Sequence, residues 1–144
     1  MSDAIRTIQR PALTLGGAKA VTTAALAAAA ARNLRVAVSI VDDGGRMVCF
    51  ERMDGVGWGS GEVAHGKAVS AAAYRRDTLV FDDRLTGGRL AVLGQPCAFP
   101  IQGGLPILVD GHCIGAIGVS GALAAEDTQI AQAGTAALLG EGER

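Results

Sequence analysis

His65 and Lys67, two residues apart behind a run of glycines, carry most of the chemistry that this chain offers. The run is Asp54-Gly-Val-Gly-Trp-Gly-Ser-Gly61, and it feeds a helix expected over about Ser60–Arg76 with Ser60 as its cap. A helix start exposes unpaired backbone N–H groups, and glycines let a ligand come close to them. An anionic group such as a carboxylate suits that position. An imidazole beside it is suited to ligating a metal or shuttling a proton, so His65 is a candidate catalytic residue and the candidate metal ligand. The structural alternative is a histidine packed against Val69 and Ala72 and satisfied by a carbonyl.

Lys67 is the second candidate catalytic residue, and Lys19 is the only other lysine. Two positions on a helix turn side chains apart by about 200°. Lys67 and His65 therefore serve one site only if the helix faces two cavities or a subunit interface. An ion pair with Asp42 or Glu51 is the structural alternative for this lysine. Arg52, Met53 and Asp54 close a strand just before the glycine run, where substrate contacts often lie. Met53 has the donor type of an axial haem ligand, although a core or rim position is the commoner use of methionine. The candidate ligand-binding set is Arg52, Asp54, Gly57, Gly59, Ser60, Gly61, Gly103 and Gly104.

Other signals exclude chemistry. The glycines of Gly103-Gly104 and Gly115-x-x-Gly118-x-x-Gly121 fall in or beside a strand, whereas a dinucleotide fingerprint bridges a strand and a helix. Their expected use is steric, letting a helix or ligand approach the strand backbone. Gly66-Lys67 lacks Walker spacing, and Ser120 lacks a GxSxG elbow. His65 and His112 are far apart, with no HxxxH pair or facial triad, and His112 has the position of an exposed turn residue. Asp42-Asp43 and Asp82-Asp83 look like solvated turn carboxylates. Cys49, Cys97 and Cys113 are odd in number without a CxxC pair, and read as small buried apolar residues in a cytoplasmic protein.

These groups need a scaffold, and the composition permits one. The chain has 144 residues, 49% of them hydrophobic, which suits a single domain over 1–144 with its core at about 13–138. Only 3% are aromatic, so the core must rely on close backbone approach between small residues. Such surfaces also favour subunit packing, and a homo-oligomer is expected. Net charge is −1 and no basic stripe appears, which argues against nucleic acid as a partner. The Ala24–Ala31 run is too short to span a bilayer, and the N-terminus lacks a signal-peptide pattern.

Thr14 can cap a helix to about Asn33, with Ala18, Val21, Ala25 and Ala28/Ala29 on one face. Leu34–Val41 and Arg46–Arg52 read as a hairpin around Asp42-Asp43-Gly44-Gly45, with Val48 and Phe50 sharing a face. A short helix fits Phe81–Leu85, and a short strand fits Ala98–Ile101. Leu105–Val109 and His112–Ser120 form a second hairpin around Asp110-Gly111. A last helix begins at Glu126-Asp127, with Ile130, Ala133, Ala137 and Leu138 inward and its acids matched to the helix dipole. The order α–ββ–α(α)–ββ–α predicts an antiparallel sheet between helical layers.

Four segments also resemble a known family. They are the Ala-rich helix after LTL, the VSIVDDGG hairpin, His65-Gly66-Lys67-Ala68-Val69-Ser70-Ala71, and FPIQGGLPILVDGHCIGAIGVSG followed by Glu126-Asp127. Together they resemble the GlcG/HbpS-like family, which includes the C-terminal domain of PduO-type proteins. The resemblance implies an α+β fold, a profilin-like three-layer α/β/α sandwich around a five-stranded antiparallel sheet. It also implies homo-oligomers, haem or corrinoid binding by some members, and accessory roles beside catabolic enzymes in others. The expected function is binding of a small ligand, haem or a related tetrapyrrole, in a pocket between the glycine run, the second helix and the second hairpin. The alternative is a cofactor-free isomerase, lyase or hydratase acting on a small carboxylated metabolite, with His65 or Lys67 as general base. An assembly subunit without a small ligand is a third expectation.

Overall fold

The computed structural model describes residues 6–138; residues 1–5 and 139–144 of the expected domain lie outside them. Helix α1 spans Leu15–Ala31 and is followed by strands β1, Ala37–Asp42, and β2, Met47–Arg52. Then come α2, Trp58–Tyr74, α3, Leu79–Thr86, and a 3-10 turn at Leu90–Gly94. Strands β3, Gly104–Val109, and β4, His112–Ser120, precede α4, Ala124–Ala136.

Local chemistry explains the starts and turns. The Thr14 hydroxyl accepts the Gly17 N–H at 2.9 Å and begins α1, as its sequence position predicts. The Asp42 carboxylate accepts the Gly44 and Arg46 amides at 2.9 and 3.0 Å, so this expected solvated acid is bound into the first turn. Asp110 and Gly111 both take positive φ, 50° and 79°, the conformation that an Asp-Gly hairpin turn requires.

The four strands run antiparallel in the order β2-β1-β4-β3. Val36, Val38, Ile40, Ile117 and Val119 pack with Ala18, Val21, Ala25 and Ala29 of α1 and Ile130 of α4. On the opposite face, Val41 and Ala116 pack with Ala68, Ala71 and Ala72 of α2. The result is an α+β sandwich of three layers.

The expected fifth strand is absent among the described residues. At Ala98–Ile101 the Phe99 N–H bonds Ser70 Oγ at 3.0 Å, and the Ile101 N–H bonds the Phe99 carbonyl, so these amides serve a local turn. Strand β3 is therefore an edge, and it carries Pro106, which has no N–H to offer a further strand. A register shift between Ile40 and Val41 also separates the pair expected on one face. Val48 and Cys49 pack toward α1, whereas Phe50 turns toward α2. In α4 the buried residues are Asp127, Thr128, Ile130, Ala131 and Gly134, while Ala133, and Ala137 and Leu138 just beyond the helix, are half-buried.

The strand glycines seat α2. A methyl group at Gly118 would overlap the Ala64 carbonyl oxygen and come within 2.6 Å of the Ala68 nitrogen. Gly104, its cross-strand partner, would bring a methyl within 2.9 Å of the Lys67 carbonyl carbon. Helix and sheet thus meet backbone to backbone. At Gly104 and Gly118 the steric expectation resolves in favour of a helix rather than a ligand, whereas Gly115 and Gly121 stand against the main chain at Val41 and Arg35.

Candidate functional site

That seating places His65 over β1. Ser39 is fully buried on the face of β1 turned toward α2, and its Oγ lies 3.0 Å from His65 Nδ1. Nε2 has no hydrogen-bond partner among the described residues. No buried side-chain nitrogen or oxygen there lacks a partner, so Nε2 is reached by solvent. One ring nitrogen is anchored and the other is available, an arrangement that orients an imidazole toward a ligand.

Two shallow clefts flank the ring. The first, about 200 Å³, is walled by Met47, Phe50 and Arg52 of β2 and by Trp58, Gly61, Glu62 and His65 of α2. The second, about 260 Å³, runs from the Gly44-Gly45-Arg46 turn past His65 to Cys97. A third and larger cleft of about 490 Å³ lies at the end of β2, between Leu26 and Ala30 of α1 and Arg35, Arg52, Met53 and Asp54. Arg52 borders the first and the third.

The glycine run is more helical than expected. Helix α2 begins at Trp58, its N-cap is Gly57, and the Ser60 N–H bonds the Gly57 carbonyl, so Ser60 is not the cap. Gly61 has a definite steric reason: a Cβ there would lie 2.9 Å from the Phe50 ring, which occupies the space. Gly57 and Gly59 face open space beside the helix start, and with Ser60 they line none of the three clefts. Of the expected ligand-binding set, Arg52 and Gly61 border the His65 cleft, and Asp54 borders the polar one. The second hairpin does not contribute to the His65 cleft; strand β2 of the first hairpin forms that wall instead.

Gly103 and Gly104 lie elsewhere, against Lys67. Gly103 has φ +127°, and a Cβ there would lie 2.6 Å from Lys67 Nζ. The lysine is buried; its Nζ donates to the Val119 carbonyl at 2.8 Å and to Asp127 Oδ2 at 3.2 Å. Asp127 Oδ1 in turn accepts the Ala122 N–H at 3.0 Å. The partner is therefore Asp127, not Asp42 or Glu51. Burial lowers the Lys67 pKa and raises that of Asp127, each against the opposing attraction of the other. Lys67 borders none of the three clefts, so the structure does not bring it together with His65.

The remaining candidates sort simply. Met53 Sδ accepts the Val36 N–H at 3.3 Å and packs against the core. Cys49 and Cys113 are half-buried, but Cys97 is exposed, contrary to expectation. No group of three or more His, Cys, Asp or Glu side chains suited to a metal ion occurs among the described residues.

The sequence over this architecture matches a family described as haem degrading protein HbpS-like, over residues 13–136. The chain belongs to the HbpS-like family. Protein GlcG of Escherichia coli strain K12 is 36% identical over 103 residues, covering 72% of this chain and 77% of GlcG. The crystal structure of a double mutant of Streptomyces reticuli HbpS superposes with a TM-score of 0.85 at 32% identity, covering 93% of this chain and 92% of that one. The crystal structure of a PduOC:haem complex superposes with a TM-score of 0.80 at 32% identity, covering 88% of this chain and 95% of that one.

Two residues of this HbpS-like chain escaped the sequence reading. Ser39 is a lone hydroxyl in the apolar run of β1, and strand alternation places it opposite Val38 and Ile40; that exception was its signal. In the sequence Asp127 stands out only as a helix-dipole acid and as part of the family-like Glu126-Asp127 pair. Nothing local links it to Lys67, which lies 60 positions earlier.

Proposed function

We propose that this HbpS-like protein binds a planar anionic cofactor, haem or a related tetrapyrrole, at the cleft beside His65. The carrying observation is the imidazole, fixed through Nδ1 by buried Ser39 and open to solvent at Nε2. The residues fit such a group. Phe50 and Trp58, two of the five aromatic residues in the chain, meet here beside Met47 and give a flat body apolar contact. When bound, haem would supply an iron able to accept an imidazole nitrogen. His65 would hold it, Ser39 would orient the ring, and Trp58 would exclude water from one side.

The cleft holds only about 200 Å³, enough for part of one face. Binding is therefore at the surface and of modest affinity. The haem complex of the similar PduOC protein supports the ligand class. The alternative of a cofactor-free isomerase, lyase or hydratase rests on His65 alone, because Lys67 is buried against Asp127. We also place the protein in the cytoplasm as a homo-oligomer, on its three free thiols and on exposed Trp58, Leu90 and Leu93. No helix among the described residues is long and apolar enough to cross a membrane.

Haemin titration followed in the Soret region tests the reading. The expected result is a saturable band shift that His65→Ala abolishes and Ser39→Ala weakens by about threefold to tenfold. No shift with the unmodified protein, or an identical shift in His65→Ala, overturns it.

A further inference from the structure

Arg52 stands where two clefts of different character meet. On one side it borders the apolar cleft of Phe50, Trp58 and His65; on the other it borders the larger polar cleft that also contains Arg35. Its stem passes Gly61, with Cδ 4.0 Å from where a Cβ would stand. No ion pair occupies the Arg52 or Arg35 guanidinium among the described residues. Arg35 Nη1 donates to the Asp54 carbonyl oxygen at 2.8 Å, which holds that side chain in place and leaves its charge unspent.

We propose that Arg52 is a specificity-determining residue that pairs with a carboxylate of the ligand held beside His65, with the ligand's acidic side chains extending into the polar cleft toward Arg35. The inference rests on the tetrapyrrole reading of the His65 cleft and adds a direction to it. The planar body lies over Phe50 and Trp58, and the acidic edge points along β2 past Arg52. A guanidinium presents parallel N–H donors that match a carboxylate, and apolar walls on one side strengthen the pair. Glu51 and Asp54 also border the polar cleft. Strand alternation after Phe50 puts Glu51 on the α1 face and Arg52 on the α2 face. Glu62 of α2 also borders the His65 cleft, but it is exposed and forms no ion pair with Arg52 among the described residues, so the guanidinium is left for a carboxylate of the ligand.

The test compares haemin with its dimethyl ester, which keeps the iron and the ring and loses both carboxylate charges. Dissociation constants are measured by absorbance for the full chain and for Arg52→Met, Arg35→Met and Glu51→Gln, each checked for an unchanged thermal melt. The full chain is expected to prefer haemin by about tenfold. Arg52→Met should remove most of that preference while leaving ester affinity within about twofold. Arg35→Met should remove a smaller part, and Glu51→Gln should raise haemin affinity about twofold with the ester unaffected.

Equal binding of the two probes by the full chain overturns this inference and leaves the His65 reading intact. So does a preference that survives in Arg52→Met, or an equal loss for both probes, which would mark Arg52 as packing only. Failure of both probes to bind overturns the His65 reading and this inference with it.

Discussion

The Ser39–His65 contact couples a buried hydroxyl to a half-exposed ring, so its loss is felt twice. Ser39→Ala leaves Nδ1 without its partner, and chemical denaturation should register a loss of about 1 kcal/mol. The Lys67–Asp127 pair behaves differently, because both charges are withdrawn from water. Asp127→Ala strands the ammonium and is expected to cost about 3–5 kcal/mol. Lys67→Met combined with Asp127→Leu should return to within about 1 kcal/mol of the unaltered chain. The pair also has a pH signature. Asp127 has a raised pKa, so its contribution is fully present below the ordinary value of 3.8 and is lost as pH rises through the folded value. The Lys67 pKa is lowered, so its contribution is present above 10.5 and is lost as pH falls through the folded value. Measured against the double variant, the unaltered chain should be weakest near neutrality and gain toward about pH 4 and about pH 10. A flat difference across that range would refute the assignment.

Helix α2 sets the position of both side chains, and two of its glycine contacts predict opposite outcomes. Gly118→Ala drives a methyl group into the Ala64 carbonyl, and should cost at least about 3 kcal/mol or prevent folding. Gly59→Ala meets open space in the first turn of α2 and should raise stability by up to about 1 kcal/mol. Thermal melts of the two variants give the comparison. These elements differ in how far their sequence disclosed them. The hairpins were legible because Asp-Gly and Asp-Asp-Gly-Gly chemistry is local, as was the Thr14 start of α1. The start of α2 was misplaced by two residues because Gly57 caps it without a side-chain bond, leaving Ser60 as a decoy. The fifth strand failed for a tertiary reason, since Ser70 on α2 takes the Phe99 amide. The His65 cleft was half legible: the imidazole and Arg52 are visible in the chain, but the β2 wall depends on a register shift beside Val41. The ion pair between α2 and α4 depends on contact across the sheet end.

At the scale of the molecule, two helical layers enclose, among the described residues, a four-stranded sheet whose edges are β2 and β3. Pro106 blunts one edge, while the other presents Met47 and Phe50 beside the His65 cleft. The proposed self-association should respond to the exposed Leu93, so sedimentation velocity of Leu93→Glu is expected to show a smaller species than the unaltered chain. An unchanged sedimentation coefficient would remove Leu93 from any interface. The glycine seat beneath α2 has a last consequence for how the molecule tolerates change. Main chain rests on main chain at Gly118, so no side chain stands between them to swell, shrink or rotate. The height of the imidazole above the sheet is consequently a fixed dimension. Substitutions in the layer beneath α1 can loosen the molecule while the gap between the His65 ring and the strands stays the same.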